Sequence, residues 1–506
     1  MQIKQVYNPY LPSYEYVPDG EPHVFGGRLY VYGSHDRFDG AMFCLNDYVC
    51  WSAPVDDLTA WRYEGVIYRK MQDPRNQRVG TEDLPQRVRI ANTVREDQLN
   101  PPGIHAMWAP DVVCGPDGRY YLFYCLDWEP EVAVAVCDTP AGAYEFLGLV
   151  RYSDGTVLGR GEGDPIQFDP GVFMDDDGSV YLYSGNASPN PSEPRPRNYS
   201  QVMRLKSDML TLAEAPKRLL PDIHHPDPEY AGHEFFEASS IRKIKGRYYL
   251  VYSSVRSHEL CWAVSDAPDR DFRFGGTLVD IGDVGLNGRT DANALNALGN
   301  THGGIECCNG QWYVFYHRQT NRTQFSRQAC AEKIYFDQCG HIAQVEVTSC
   351  GLNQAPLRAE GMYPAYIACA LTRNGKSVFS NPEIMGDEYP YFTQDERDCE
   401  PYTEMKQSEP VQYIANLCDG AMVSYKYFEF VGNNALSLQV RGQFQGIIQW
   451  FADEMAIGVT NIDLKSVEWS EVRASITPCV GVHALTARFS GKGSLDWRQF
   501  VFCNDQ

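Results

Sequence analysis

No stretch of this 506-residue sequence is apolar for long enough to span a membrane as a helix, which would take about 20 consecutive residues. The first residues, Met1 to Pro9, also lack the apolar core of a secretory signal peptide, so a cytoplasmic location is expected. The 16 cysteines include no Cys-x-x-Cys pair, the spacing typical of zinc ribbons and dithiol redox sites. In a chain without a leader they are expected to be reduced, mostly buried thiols.

Positive charge is scarce as well. The sequence has 44 Lys and Arg residues against 66 Asp and Glu residues, a formal net charge of -22. A surface this acidic repels phosphate backbones and anionic lipids, so neither nucleic acid nor membrane is expected as a partner. It suits a neutral or small-molecule substrate, and we expect no organic cofactor.

Aromatic residues and glycine are abundant, and they recur in a pattern. Five hairpins share one order: an apolar strand, a glycine-containing turn and an aromatic strand. Their equivalent tyrosines are Tyr30, Tyr121, Tyr181, Tyr249 and Tyr313. Repeated units of about four strands indicate a β-propeller, and five copies predict five blades. A β-sandwich with recurrent hairpins accounts for single hairpins but not for five similar ones.

The repeat covers only the first part of the chain, so an all-β protein of two domains is predicted. Residues 1–350 are expected to form the propeller, with a polar insertion at 69–104. A connector rich in Pro, Tyr and charge follows at 351–408. Short alternating strands return at 409–506 and predict a β-sandwich (jelly-roll) domain.

Five polar residues precede the aromatic hairpins, where the inner strands of a propeller line its axis. They are Asp19, Asp111, Asp169, Glu237 and His302. Two carboxyl groups across a sugar-sized gap can hydrolyse a glycosidic bond by general acid/base catalysis. Glu237, beside two phenylalanines, is expected to be the poorly hydrated acid, and Asp19, in polar surroundings, the ionised base. Asp169 is expected to raise the pKa of Glu237 by like-charge repulsion.

Three further residues are candidates for substrate binding, each with a structural alternative. Trp108 could stack on the sugar or fill the blade core. Arg318 could contact substrate, keep the base ionised or form an inter-blade salt bridge. His35 could contact substrate or be a hydrogen-bonded core histidine.

These motifs resemble glycoside hydrolase family 43, the five-bladed α-L-arabinofuranosidases and β-xylosidases. The resemblance covers residues 1 to about 350, and it implies Asp19 as base, Asp169 as pKa modulator and Glu237, six residues before Lys243, as acid. It also implies a structural calcium on the axis near His302. Two departures are a base followed by Gly rather than Pro, which leaves Glu21 as an alternative base, and Ala238-Ser239 where Gly-Pro is usual.

The C-terminal part resembles a family 6-type carbohydrate-binding module through Asp419-Gly420-Ala421 and the stretch from Ser494 to Phe500. Two roles remain open for it. It could bind sugar, or it could act structurally by burying one face against the propeller.

The resemblance implies an inverting exo-glycosidase. The expected substrate is a terminal α-L-arabinofuranosyl residue on arabinoxylan-type oligosaccharides, with terminal β-D-xylosyl residues as a second or even primary substrate. A non-catalytic sugar-binding propeller is the alternative from another class. A phosphorylase or transferase is a further alternative, but it needs a basic anion site near the axis, for which Arg318 is the one candidate.

Overall fold

The computed structural model describes residues 4–76, 105–395 and 410–504, and the regular structure in these ranges is almost entirely β. The part of the predicted insertion from 77 to 104 therefore lies outside the described residues. None of the described helices combines the length and apolar character that crossing a membrane requires. These helices are single turns: Lys70–Gln72, Pro228–Tyr230, Leu286–Gly288, Asp291–Asn293, Ala365–Ile367 and Pro382–Met385.

The first 19 strands form five separate antiparallel sheets in chain order. Blade one contains β1 (Glu21–Phe25), β2 (Arg28–Tyr32), β3 (Tyr48–Pro54) and β4 (Arg62–Tyr68). Blade two contains β5 (Met107–Cys114), β6 (Tyr120–Leu126), β7 (Val132–Cys137) and β8 (Glu145–Leu149). Blade three contains β9 (Gly171–Met174), β10 (Val180–Ser184), β11 (Gln201–Leu205) and β12 (Leu212–Arg218). Blade four contains β13 (Phe235–Ile244), β14 (Arg247–Ser254), β15 (Glu259–Ser265) and β16 (Arg273–Asp280). Blade five contains β17 (Ile305–Cys308), β18 (Gln311–Thr320) and β19 (Thr323–Ile334).

Each blade begins with the hairpin that the sequence repeats. The turn glycines, such as Gly118 and Gly246, have φ of 81° and 83°, a region that favours glycine. The inner strands β1, β5, β9, β13 and β17 lie side by side around a central axis, and β17 returns to β1. Each pair of neighbouring blades shares one apolar core, so the ring contains five such cores. The prediction of an all-β chain with a five-bladed propeller is confirmed.

The N-terminal segment closes the ring by pairing with blade five. The Tyr10 amide donates to the Ala329 carbonyl at 3.2 Å, so this segment lies along the outer side of β19. The Asn8 side chain donates to the carbonyl of Ala331 and to Oε1 of Glu332, and it accepts from the Ala331 amide, at 2.9–3.0 Å. Gly20 and Gly303 form a parallel β-bridge between blades one and five. Both ends of the propeller are therefore joined by hydrogen bonds.

A further sheet of nine strands follows the propeller. It contains β20 (Leu357–Arg358), β21 (Gly361–Pro364), β22 (Ala370–Arg373), β23 (Tyr391–Gln394), β24 (Gln412–Cys418), β25 (Ala421–Val431), β26 (Ala435–Ala452), β27 (Met455–Ser475) and β28 (Val480–Cys503). Buried and exposed residues alternate along β25 and β26, so one face of the sheet packs on a single core that includes Trp450 and Trp497.

The segment expected to be a connector, 351–408, supplies β20 to β23 to this C-terminal sheet. These strands pair with β24, β25 and β28, so the chain enters the second domain soon after residue 350. The irregular sequence pattern has a physical reason, because strands of two to four residues are too short to show alternation. Residues 396–408 of this segment lie outside the described residues.

We expect Asn8→Ala to lower the free energy of unfolding by about 2–4 kcal/mol, because the change leaves the buried Ala331 amide without its partner and removes one of the hydrogen bonds to the Glu332 carboxyl. Urea unfolding followed by tryptophan fluorescence measures this loss. Asn353→Ala is the matched control, because its side chain is partly exposed and bonds only locally to Ala355. If both variants unfold at the same urea concentration, ring closure by Asn8 does not contribute to stability.

Candidate active site

Irregular backbone at the ends of the inner strands directs side chains into one pocket. In β13 the register slips after Glu237, where Ala238 has φ of 69°, and β5 slips in the same way after Trp108. Asp19 and Asp169, just ahead of β1 and β9, have φ of 56° and 43°. Such conformations cost an L-residue about 1–2 kcal/mol, and a bulge re-aims the side chain it carries. Asp19, Asp169 and the neighbour of Glu237 are thus held in strained backbone conformations.

The pocket at this end of the axis has a volume of about 590 Å³, which is in the usual range for small-molecule sites. Its floor brings together Asp19, Trp108, Asp169, Glu237 and His302. Four aromatic side chains contribute to its walls: Phe43, Trp128, Phe168 and Phe236. Trp108 contacts the Phe168 ring edge to face at 5.0 Å, which fixes the orientation of the indole beside the carboxyl groups.

Asp19 is held by a buried arginine. Arg327 donates from Nη1 to Asp19 Oδ1 at 2.8 Å and binds Asp36 with Nε and Nη2 at 2.8 and 3.0 Å. Arg327 is 1% exposed and Asp36 is fully buried. Burial alone would raise the pKa of Asp19, but Arg327, followed by His317, His302 and a hydrogen bond from Ser34, together outweigh it and the pKa is lowered. Asp19 is therefore ionised at neutral pH.

His317 positions the Asp19 backbone without adding charge. The Asp19 amide donates to His317 Nδ1 at 3.2 Å, and His317 Nε2 lies 2.8 Å from the Asn300 carbonyl. Nδ1 is thus the acceptor and Nε2 carries the proton, which defines a neutral ring. Burial and the nearby Arg327 lower the pKa of His317 to about 3, in agreement with this tautomer.

Glu237 has the opposite electrostatic environment. Removal from water, followed by repulsion from Asp169, raises its pKa to about 8, so the carboxyl group is protonated at neutral pH. Asn186 donates to Glu237 Oε2 at 2.8 Å and favours the ionised form. The pocket thus contains one ionised and one protonated carboxyl group, the pair that acid/base catalysis needs.

Asp169 forms an ion pair with His302. The His302 Nδ1 lies 3.5 Å from Asp169 Oδ2, and this carboxylate raises the pKa of His302 to about 9 against the effect of burial. Burial raises the pKa of Asp169, as it does that of Glu237, although His302 opposes the shift. His302 is accordingly a cation beside Asp169 at neutral pH.

Four residues considered from the sequence lie outside this pocket. Arg318 donates to the carbonyls of Tyr366 and Ala368 and stacks on Phe392 at 3.9 Å, so it contacts the C-terminal domain instead of substrate. Strand alternation explains the error, because the neighbouring His317 already faces Asp19.

His35 and Glu21 are directed elsewhere as well. His35 is 2% exposed and its Nδ1 lies 2.7 Å from the Asp47 carbonyl, the hydrogen-bonded core alternative. Glu21 accepts from Ser240 at 2.6 Å and pairs with Arg242 at 3.0 Å, deeper along the axis. Asp111 also lies away from the pocket and accepts from the Val172 amide at 2.7 Å.

Sequence reasoning missed Arg327, Asp36 and Asn186. A signal for Arg327 exists in β19, where an arginine stands in line with the small buried residues Ala329 and Ala331. A charge at a position of inward parity indicates a buried ion pair. For Asn186, which follows β10 in an irregular loop, the sequence offers no such signal.

Residues 88–342 match the glycosyl hydrolases family 43 model. A xylosidase/arabinosidase of Thermoclostridium stercorarium is 46% identical over 99% of this chain and 100% of its own length. A beta-xylosidase of Xylanibacter ruminicola is 29% identical over 68% of this chain and 100% of its own length. A crystal structure of a family 43 arabinoxylan arabinofuranohydrolase from Bacillus subtilis, with cellotetraose, aligns with a TM-score of 0.50 at 18% identity, covering 98% of this chain and 97% of that one.

We expect Asp169→Asn to lower the pKa of Glu237 from about 8 to below about 7, because the change removes the stronger of the two charge repulsions on Glu237. Carbon-13 NMR of a glutamate-labelled protein, with Glu237→Gln to assign the signal, measures this pKa. Asp175→Asn is the control, since Asp175 pairs with Lys243 at the outer end of blade three. An unchanged Glu237 titration in Asp169→Asn would show that burial alone sets the pKa.

Proposed function

The chain belongs to family 43 of the glycosyl hydrolases and is a glycoside hydrolase, and we propose that Asp19 is its general base, Glu237 its general acid and Asp169 the modulator of that acid. The observation that carries this assignment is the opposite displacement of two pKa values within one pocket. Arg327 keeps Asp19 ionised, whereas burial and Asp169 keep Glu237 protonated. A non-catalytic sugar-binding site does not need this difference.

The proposed reaction is a direct displacement at the anomeric carbon. Asp19 accepts a proton from water as the water oxygen bonds to that carbon, and Glu237 gives its proton to the departing glycosidic oxygen. Asp169 repels negative charge on Glu237 and so keeps the acid loaded. Attack of water on the face opposite the leaving group inverts the anomeric configuration.

We propose terminal α-L-arabinofuranosyl residues of arabinoxylan-type oligosaccharides as the main substrate, with terminal β-D-xylosyl residues as the second. The names of the relatives, xylosidase/arabinosidase and beta-xylosidase, support this pair of sugars. The polar floor beneath aromatic walls supports a neutral sugar as ligand. The expected cytoplasmic location would favour short imported oligosaccharides over polymer.

The family resemblance implies a calcium ion on the propeller axis, but the residues around His302 do not provide a suitable site for it. Calcium takes six to eight oxygen ligands. Among the described residues, only Asp169 brings a carboxylate within 4 Å of the His302 ring, and the ring carries a proton on the nitrogen facing it. The donor set therefore does not fit a calcium bound directly to His302, and no step of the proposed reaction depends on it.

We expect Glu237→Gln and Asp19→Asn each to lower kcat by about 10²–10⁴, but with different leaving-group dependence. A 4-nitrophenyl leaving group needs little protonation, so Glu237→Gln should lose less activity on the nitrophenyl glycoside than on an oligosaccharide. Asp19→Asn should lose the same factor on both. Glu234→Gln, three residues away and bonded to the Gly232 amide, is the control. Full turnover by Glu237→Gln on an oligosaccharide would exclude its role as acid.

We expect proton NMR of early hydrolysis to show the anomer opposite to that of the substrate, on both the arabinofuranoside and the xyloside. Parallel time courses on the two substrates give the preference between them. Retention of configuration would contradict direct attack by water. A requirement for added phosphate would instead favour a phosphorylase.

A further inference from the structure

A pair of glutamines from the C-terminal sheet binds a tyrosine of the propeller. The Tyr16 hydroxyl donates to Gln394 Oε1 at 2.7 Å and accepts from Gln412 Nε2 at 3.3 Å. Gln394 and Gln412 are directly opposite each other on β23 and β24. Tyr16 is fully buried, and the two glutamines are 6% and 3% exposed. Because these polar groups are removed from water, their hydrogen bonds fix the geometry of the contact.

Tyr16 is connected to the proposed base, Asp19, both along the chain and through Asp36 and Arg327. It lies three residues before Asp19, and its carbonyl accepts from the Asp36 amide at 2.9 Å. Asp36 in turn binds Arg327 through both carboxylate oxygens, and Arg327 donates to Asp19. The backbone of Tyr16 therefore helps to place the Asp36–Arg327 pair that keeps Asp19 ionised.

Gln412 also contacts β19, at the residue next to Arg327. Gln328 Nε2 donates to Gln412 Oε1 at 3.4 Å and to the Ser13 carbonyl at 3.1 Å. Gln328 is fully buried, and as the neighbour of Arg327 in a strand it faces the opposite side. Arg318 Nη2 donates to Gln328 Oε1 at 2.9 Å, which completes a chain of hydrogen bonds along the interface. The C-terminal domain thus contacts both segments that carry the Asp19–Arg327 pair.

We propose that Tyr16, Gln394 and Gln412 are positioning residues, through which the C-terminal domain holds Asp19 and Arg327 in their catalytic arrangement. This inference rests on the proposed role of Asp19 as the base. It gives the C-terminal domain a part in the reaction that does not require the domain to bind sugar.

The groups that face Asp19 define what a displacement would change. They are Arg327 and His317 from blade five, His302 ahead of β17, Asp169 ahead of β9, Glu237 in β13, Tyr48 in β3 and the Cys44 thiol. Arg327 is the permanent cation among them. A looser Tyr16 segment would lengthen the Arg327–Asp19 contact and leave burial and Asp169 to dominate, which favours the protonated base.

The test is Tyr16→Phe in the full-length protein, which removes the hydroxyl and keeps the ring against Phe38. We expect kcat to fall about tenfold with KM within twofold of wild type. The acidic limb of the kcat/KM profile should move to higher pH, and the alkaline limb, set by Glu237, should stay in place. Gln394→Ala and Gln412→Ala remove the same contacts from the side of the C-terminal domain. They should give the same lower kcat, unchanged KM and shifted acidic limb, and they test the proposal even if Tyr16→Phe does not fold.

Tyr425→Phe is the matched control, since it deletes another fully buried tyrosine hydroxyl, bonded at 3.0 Å to the Ala365 carbonyl within the C-terminal domain. It should keep the wild-type kcat and acidic limb. The inference would be overturned if Tyr16→Phe and both glutamine variants keep the wild-type kcat and the wild-type acidic limb, while Asp19→Asn is inactive. An active Asp19→Asn would instead refute the proposed role of the base.

Discussion

The site depends on a buried cation with two carboxylates. Arg327 is almost inaccessible to water, and an isolated charge there would be prohibitively costly, so it needs Asp36 and Asp19 as counter-ions. Asp36 takes two parallel hydrogen bonds, and Asp19 takes the remaining nitrogen. The arrangement fixes the position and the charge of Asp19 at once. It also explains why Asp19 lies ahead of its strand with a strained backbone, because the contact with Arg327 determines where the carboxylate must be.

Charge balance in the pocket then determines the state of Glu237. With Asp19 and Asp36 on Arg327, and Asp169 on His302, the named groups already carry one more negative than positive charge. Ionising Glu237 would add another charge in the same poorly hydrated space, so its proton is retained to a pH of about 8. The two carboxyl groups thus differ in protonation because Asp19 has Arg327 as a counter-ion, whereas Glu237 is repelled by Asp169. The difference that catalysis requires follows from the uneven distribution of cations and carboxylates in one pocket.

The sequence predicted the fold and the axial acids because both follow from local order. Five glycine turns followed by aromatic strands indicate five blades. The residue ahead of each hairpin lies near the axis because the inner strand of every blade does. The partners of these acids could not be predicted in the same way. Arg327 meets Asp19 across 308 residues of chain, after the ring has closed. Arg318 and His317 are adjacent in one strand, so their side chains point to opposite faces. Arg318 therefore contacts the domain interface and His317 contacts Asp19.

Arg318 also shows how the two domains depend on each other. Burial lowers the pKa of its guanidinium, and its donors end on carbonyls, the Gln328 amide and an aromatic face. This half-buried arginine has its polar contacts at the domain interface, one strand away from Arg327, whose contacts lie at the pocket. A displacement of the C-terminal sheet would leave the donors of Arg318 and Gln328 unpaired, so the interface resists it. The propeller supplies the reacting groups, and the second domain restricts the movement of the strand that keeps one of them charged.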